Sequence, residues 1–241
     1  MNIAAASKKR YGFIDALRGL CVVLMIGYHA MYDAQSFFST TIWVFDMYLP
    51  IFSILQPLFA GLFIIISGLC CGFSKNNGKR GLKLLAVSYL LTLVTRFLGE
   101  NMAVYFGILH CLGFSMLFYS LSEKFLSKIP LAVRMCFFFF SFSVSYFFFP
   151  YFVEVPHLYM LGFYDVSYPW VDYFPLLPWV FLFFFGTTLF PLFENQKFPK
   201  FFYSFSCKPL EWFGKHSLLI YLFHQPALMG LFFCLQAVGI I

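Results

Sequence analysis

His29 and Asp33 stand four residues apart, so on a helix they share one face. A carboxylate beside an imidazole fixes its tautomer and raises its basicity, which is the local arrangement a general base needs. Arg18 lies eleven residues before His29, about 16 Å back along the same helix. Asp15 is three residues from Arg18 and can pair with it. That pair has two readings: a salt bridge anchoring helix packing, or a positive group facing an anionic ligand such as phosphate or pyrophosphate. Gly12 and Gly19 on either side would let a second helix or a ligand approach closely.

Further polar groups sit in apolar surroundings. His110 falls near the start of a hydrophobic segment, at a depth comparable to that of His29, and the two could share one outward-facing cavity. The run His224-Gln225-Pro226 places an imidazole and an amide beside a proline, which removes the hydrogen bond to the Leu222 carbonyl. His224 with Gln225, and Asp172 from a long loop, are candidates for binding the substrate or a developing oxyanion. Lys79 and Arg80 stand in a basic loop suited to anionic lipid heads or to an anionic cosubstrate. His216 is read as an interfacial packing residue.

The elements that must position these groups are membrane helices. Of 241 residues, 61% are hydrophobic and only 11% charged, against about 25% charged in a typical soluble domain. A bilayer core about 30 Å thick needs roughly 20 helical residues. Spans are expected near Phe13–Tyr32, Tyr48–Cys71, Leu82–Leu98, Tyr105–Leu121, Leu131–Phe149, Leu176–Phe193 and His216–Gln236. This is an all-α, polytopic seven-helix transmembrane bundle forming one domain over residues 1–241. The fifth span, rich in Phe and Ser, is expected to be the most lipid-exposed. Pro178, just inside the sixth, is expected to kink or break its start.

Charge gives the topology. Lys8, Lys9, Arg10, Lys75, Lys79, Arg80, Lys83, Lys124, Lys128, Arg134, Lys197, Lys200, Lys208 and Lys215 fall on one side. The opposite loops hold Asp46, Glu100, Glu154, Asp165 and Asp172, with Arg96 the only cation. The N-terminus is therefore expected in the cytoplasm and the C-terminus outside. The net charge of +6 follows from the same sorting and does not point to nucleic acid. The long outer loop from Pro150 to Phe174, with Pro156, His157, Asp165, Pro169, Trp170 and Asp172, could cover a site. No cleavable signal peptide is expected.

Several chemistries lack their residues. There is no GxxxxGK loop, GxSxG elbow or HExxH run, and the seven scattered cysteines form no CxxC pair. No metal is expected. The cysteines are read as small buried thiols.

The residues do resemble a known pattern. Ile14-Asp15-Ala16-Leu17-Arg18-Gly19, followed by Met25 and His29, is similar to the opening of the bacterial DUF1624 family. That family is related to the catalytic domain of heparan-alpha-glucosaminide N-acetyltransferase. Phe63-Ile64-Ile65-Ile66-Ser67-Gly68 and Gly107-Ile108-Leu109-His110 resemble its second-span and fourth-span blocks. Trp212-Phe213-Gly214-Lys215-His216-Ser217-Leu218-Leu219-Ile220-Tyr221 and His224-Gln225-Pro226 resemble its closing block.

The resemblance implies a membrane acyltransferase using acetyl-CoA or another acyl-CoA, with His29 as the best match to a membrane-embedded catalytic histidine. In that reading His29 takes the acceptor's proton or briefly accepts the acyl group, and Asp33 orients it. His110, or His224 with Gln225, binds the oxyanion or acceptor. Arg18, Lys79 and Arg80 hold the phosphates of CoA, while Asp15 and Gly19 are structural. Membrane lipids, a glycan or lipid-linked acceptor and a second copy in a homodimer are the expected partners, in a bacterial cytoplasmic membrane. The competing reading is a small transporter or lipid-binding membrane protein whose buried His, Asp and Arg mark a solute or proton path.

Overall fold

A computed structural model describes residues 11–38, 49–148, 157–163 and 171–240. Lys8, Lys9, Arg10, Asp46, Glu154, Pro156, Asp165, Pro169 and Trp170, invoked above, lie outside the described residues. The described chain is helical: α1 (Gly12–Ser36), α2 (Pro50–Leu69), α3 (Asn77–Leu98), α4 (Ile108–Leu126), α5 (Leu131–Phe148), α6 (Leu176–Glu194), α7 (Phe201–Ser204), α8 (Lys208–Lys215) and α9 (Ser217–Ala237). All helices except the short α7 and α8 coincide with the expected spans, with ends displaced by a few residues. The earlier start of α3 has a local cause: the Asn76 side chain accepts the Lys79 N–H at 2.9 Å and starts the helix at Asn77 rather than Leu82.

Among the described residues, five helices, α1, α2, α3, α6 and α9, are long and apolar enough to cross a membrane. α5 is apolar and shorter. α4 carries Glu123 and Lys124 near its end. Large apolar side chains face outward, among them Leu90, Leu93, Phe97, Phe137, Phe140, Phe147, Leu219 and Phe223. Water would penalise such a surface, and lipid tails would not. The protein is an integral membrane protein. The expected break in α6 falls where the proline demands it: Leu177, before Pro178, has φ −92° and ψ 127°, the extended conformation that pre-proline residues prefer.

The chain forms two compact units, residues 61–197 and residues 1–60 with 198–241. In the unit of residues 61–197, successive helices alternate in direction. α3 and α4 are antiparallel: Gly78 faces Ser120, Gly81 faces Met116, and Thr92 reaches His110. α5 and α6 are antiparallel, with ring pairs Phe138–Phe184 and Phe142–Trp179 at 5.2 and 5.9 Å. α6 runs parallel to α4, since Cys111 lies by Pro175 and Tyr119 by Phe184. It also runs parallel to the second half of α2, since Gly61 lies by Leu182, Gly68 by Phe183 and Gly72 by Phe190. Strict alternation from α2 to α6 is what successive crossings of one bilayer produce.

The tightest contacts in that unit are between backbones. A Cβ on Gly68 would come within 2.1 Å of the Phe183 carbonyl oxygen, and one on Gly186 within 2.2 Å of that of Ile65. Where two helices meet in a membrane without a hydrophobic driving force, this close approach supplies the van der Waals contact.

In the unit of residues 1–60 and 198–241, α7, α8 and α9 pack along α1. Phe13 sits among Phe201, Phe202 and Phe205, with centroid distances of 4.5 to 6.0 Å. α8 crosses α1 through a reciprocal glycine pair: a Cβ on Gly19 would meet the Leu210 carbonyl oxygen at 1.9 Å, and one on Gly214 that of Asp15 at 1.8 Å. α9 runs parallel to α1, with His29 beside His224, Asp33 bonded to Gln225, and Phe38 stacked on Phe232 at 5.2 Å.

Candidate functional site

Two polar regions lie along α1. The first is where α8 crosses it. Arg18 lies 3.5 Å from the Asp15 carboxylate and 3.5 Å from the Gly214 carbonyl oxygen. A guanidinium is favourable at the C-terminal end of α8, and Asp15 is favourable in the first turn of α1. The pair thus pins two helix ends together. The Arg18 side chain is 20% exposed.

Next to it, Glu211 is buried at 5% exposure over Gly12. Its carboxylate accepts from Ser206 Oγ at 2.6 Å and Lys215 Nζ at 3.3 Å, with Lys208 Nζ at 3.7 Å. A cavity of about 340 Å³ opens there, lined by Gly12, Asp15, Tyr203, Ser204, Phe205, Ser206, Lys208, Glu211 and Lys215. It contains neither His29 nor Arg18. Both its lysines are matched by Glu211, so its walls are polar rather than simply cationic.

The Ser206 hydrogen bond, followed by Lys215 and Lys208, holds the Glu211 carboxyl below its ordinary value of 4.5, against the opposing effect of burial. A depressed carboxylate stabilises the fold fully above its unfolded pKa and loses that contribution as pH falls through the folded value. Glu211→Gln is therefore expected to lower the thermal unfolding midpoint at neutral pH. The gap between variant and wild type should close as pH drops below about 4.5. Midpoints measured across pH in one detergent check this, and a gap that widens on acidification refutes it.

The second region is the α1–α9 crossing. The His29 and His224 rings lie 4.9 Å apart between centroids, inclined at 59°. Asp33 is completely buried, and its Oδ1 accepts from Gln225 Nε2 at 2.8 Å. The His29–Asp33 hydrogen bond expected from their spacing does not form. The i, i+4 spacing brings the two Cβ atoms together, but the amide donor from α9 takes the carboxylate. Asp33 thus orients Gln225, the neighbour of His224, rather than His29.

The polarity of this cluster is specific. His224 Nδ1 lies 2.6 Å from the Tyr221 carbonyl oxygen, which can only accept, so Nδ1 carries the proton and Nε2 the lone pair. Gln225 uses its NH2 on Asp33 and turns its oxygen away. Asp33 Oδ2, Gln225 Oε1 and His224 Nε2 are all buried without a hydrogen-bond partner. In a neutral imidazole and an ionised carboxylate these three are acceptors. An oxyanion needs donors. The oxyanion-binding role expected of His224 with Gln225 is therefore opposed by how their donors are already engaged.

The remaining residues lie in the unit of residues 61–197. His110 is 1% exposed. Its Nδ1 accepts the Gly107 N–H at 3.2 Å, capping α4, and its Nε2 lies 3.2 Å from Thr92 Oγ1. Thr92 in turn reaches the Val104 carbonyl at 2.7 Å. Nδ1 accepts and Nε2–H donates, so both nitrogens are occupied in tying α4 to α3. His110 has no lone pair to offer a substrate, and the catalytic role expected for it gives way to positioning. His29 belongs to the other unit.

Asp172 is likewise structural. Its Oδ2 accepts from the Ile108 N–H at 3.3 Å at the first turn of α4, from a backbone with φ of 49°. Lys79 lies in the first turn of α3, and Arg80 reaches the Cys70 carbonyl at 3.5 Å and Asn77 Oδ1 at 3.3 Å. Among the described residues, no group of three His, Cys, Asp or Glu side chains is placed to hold a metal ion.

Sequence reasoning missed Thr92, Gly214 and Glu211. Glu211 was legible, standing three residues after Lys208 and four before Lys215. Thr92 and Gly214 carry no local signal, because their partners are distant in the chain.

No curated protein and no solved structure matches this chain. The family model described as heparan-alpha-glucosaminide N-acetyltransferase, catalytic, matches residues 10–226. That stretch takes in both polar regions of α1 and ends on Pro226, one residue past the pair His224-Gln225. Matched over most of its length, the chain belongs to the family of heparan-alpha-glucosaminide N-acetyltransferase catalytic domains.

Proposed function

We propose that this protein is a membrane acyltransferase that moves an acetyl or other acyl group from a CoA thioester to a hydroxyl or amine of a glycan or other envelope component. The observation that carries the reading is the α1–α9 crossing: two facing imidazoles beside a fully buried carboxylate, within the stretch that matches an acetyltransferase family. Unpartnered polar atoms inside a membrane are expensive, and sequences retain them where function needs them. His29 and His224 form the reacting pair, and Asp33 positions it through Gln225. Arg18 contributes to binding the phosphates of the donor. The helices make seven crossings, with the N-terminus in the cytoplasm of a bacterial cell and the C-terminus outside. Surrounding lipids and a lipid-linked or glycan acceptor are its partners, and two copies form a homodimer.

The alternative is a solute or proton carrier, favoured by the same unpartnered Asp33 oxygen. Purified protein in lipid nanodiscs, given acetyl-CoA and a panel of hexoses and hexosamines, separates the two. Release of free CoA thiol that depends on the acceptor, with label moved to the sugar, supports the enzyme. Protein-dependent solute uptake into proteoliposomes, with no binding of acetyl-CoA, overturns it.

A further inference from the structure

We propose that His224 is a catalytic residue, the base whose Nε2 takes the acceptor's proton, and that Asp33 and Gln225 are its positioning pair. This rests on the acyltransferase reading and assigns the work within it. The sequence favours His29 for the role because a carboxylate follows it at i+4. The fold supplies His29 with no such support: among the described residues, neither of its ring nitrogens has a hydrogen-bond partner, and Asp33 is committed to Gln225. His224 instead has its tautomer fixed. The 2.6 Å contact from Nδ1 to the Tyr221 carbonyl keeps the proton on that nitrogen and leaves the lone pair on Nε2.

That lone pair is buried and meets no donor, like Gln225 Oε1 on the same turn and Asp33 Oδ2 on the facing turn of α1. Three buried acceptors suit a group that brings donors, and an incoming hydroxyl or amine is such a group. Pro226 lies two residues beyond His224 and cannot donate to the Leu222 carbonyl. The imidazole that donates to the adjacent Tyr221 carbonyl is thus held in a turn whose own ladder is incomplete.

The chemistry balances with the thioester as the only co-reactant. The acceptor's O–H or N–H bond breaks and its proton moves to His224 Nε2, while its heteroatom bonds to the acyl carbon. The carbon–sulfur bond breaks, and the departing thiolate takes the proton from the imidazolium and restores the neutral ring. Having no fixed tautomer, His29 is left for the carbonyl side, where a ring N–H can face the oxygen on which charge develops.

His224→Asn tests this, because a short amide can keep the donor to the Tyr221 carbonyl while removing the atom at the Nε2 position. With acetyl-CoA and the hexose and hexosamine panel in nanodiscs, His224→Asn is expected to lower kcat by about 10²- to 10⁴-fold. KM for acetyl-CoA should stay near the wild-type value. A purely structural role predicts a rate near wild type in this variant, and that result overturns the proposal. A second readout needs no turnover and no folded variant. Nitrogen NMR of histidine-labelled wild type in nanodiscs should show a ring protonated at Nδ1 with a bare Nε2 that is broadened by a spin label at the C-terminal end of α9, which assigns it to His224 rather than to His216, whose Nδ1 also faces a carbonyl, that of Trp212 at 2.8 Å. A protonated Nε2 at neutral pH overturns the proposal even in an active enzyme. Wild-type protein that transfers no acyl group removes the acyltransferase reading and this assignment together. An active wild type with an active His224→Asn removes only this assignment.

Discussion

Acyl transfer by His29→Ala is expected to fall by about two to three orders of magnitude, the usual cost of losing one donor to a developing oxyanion, while the protein still elutes as a folded species in detergent. The reason is local. His29 faces His224 at 4.9 Å and makes no hydrogen bond that holds α1 to another helix, so truncation removes a reacting ring without removing a tie. Asp33 keeps its bond to Gln225, which preserves the α1–α9 crossing.

His110→Ala should behave in the opposite way. Its ring caps α4 and reaches Thr92 inside the unit, and removing it leaves the buried Gly107 N–H without its partner. An unsatisfied buried group costs about 1–3 kcal/mol. The yield and thermal midpoint of folded protein should drop, while the rate per folded molecule stays close to wild type. Rates normalised to the folded fraction check both variants. A His29→Ala enzyme at full rate, or a His110→Ala protein that folds normally and is dead, would reverse the two assignments.

The largest stability losses are expected at the reciprocal glycines. In Gly19→Leu or Gly214→Leu the new Cβ would sit within 1.9 Å or 1.8 Å of a carbonyl oxygen on the opposing helix. The atom in the way is backbone, so no rotamer change relieves the clash and α1 and α8 must separate. Gly68→Leu and Gly186→Leu meet the same obstacle from the Phe183 and Ile65 carbonyls. Overpacking of a tight interior costs typically about 1–3 kcal/mol and occasionally more, and displaced backbone puts these four at the upper end. Gly27→Leu is the control, since a Cβ there meets nothing within 4 Å. Size-exclusion profiles and thermal midpoints in detergent measure the effect. Folded, monodisperse Gly214→Leu protein with an unchanged midpoint would show that the helices are not packed at this distance. Separating α1 from α8 also removes the carbonyl beside Arg18, so donor binding should weaken in Gly214→Leu even where some fold survives.

Sequence alone determined which segments become helices, because helix length and apolar content are set by the bilayer and read locally. It also located the polar residues of α1 and α9, since charge and imidazole stand out against 61% hydrophobic residues. Only the tertiary structure decided what each polar group does, because hydrogen-bond partners are chosen across helices. Asp33 lies four residues from His29 yet bonds to Gln225, 192 positions away. His110 looked like chemistry and became a cap when Thr92 and Gly107 took its two nitrogens. Asp172 looked like a ligand contact and became the acceptor for the first turn of α4. His224 gained a defined lone pair from a carbonyl one turn back, in the helix that the fold lays against α1. Spacing along one helix reports which side chains are neighbours. It cannot report which of several neighbouring donors and acceptors, arriving from distant segments, will saturate a buried group, and that saturation separates a structural imidazole from a reactive one.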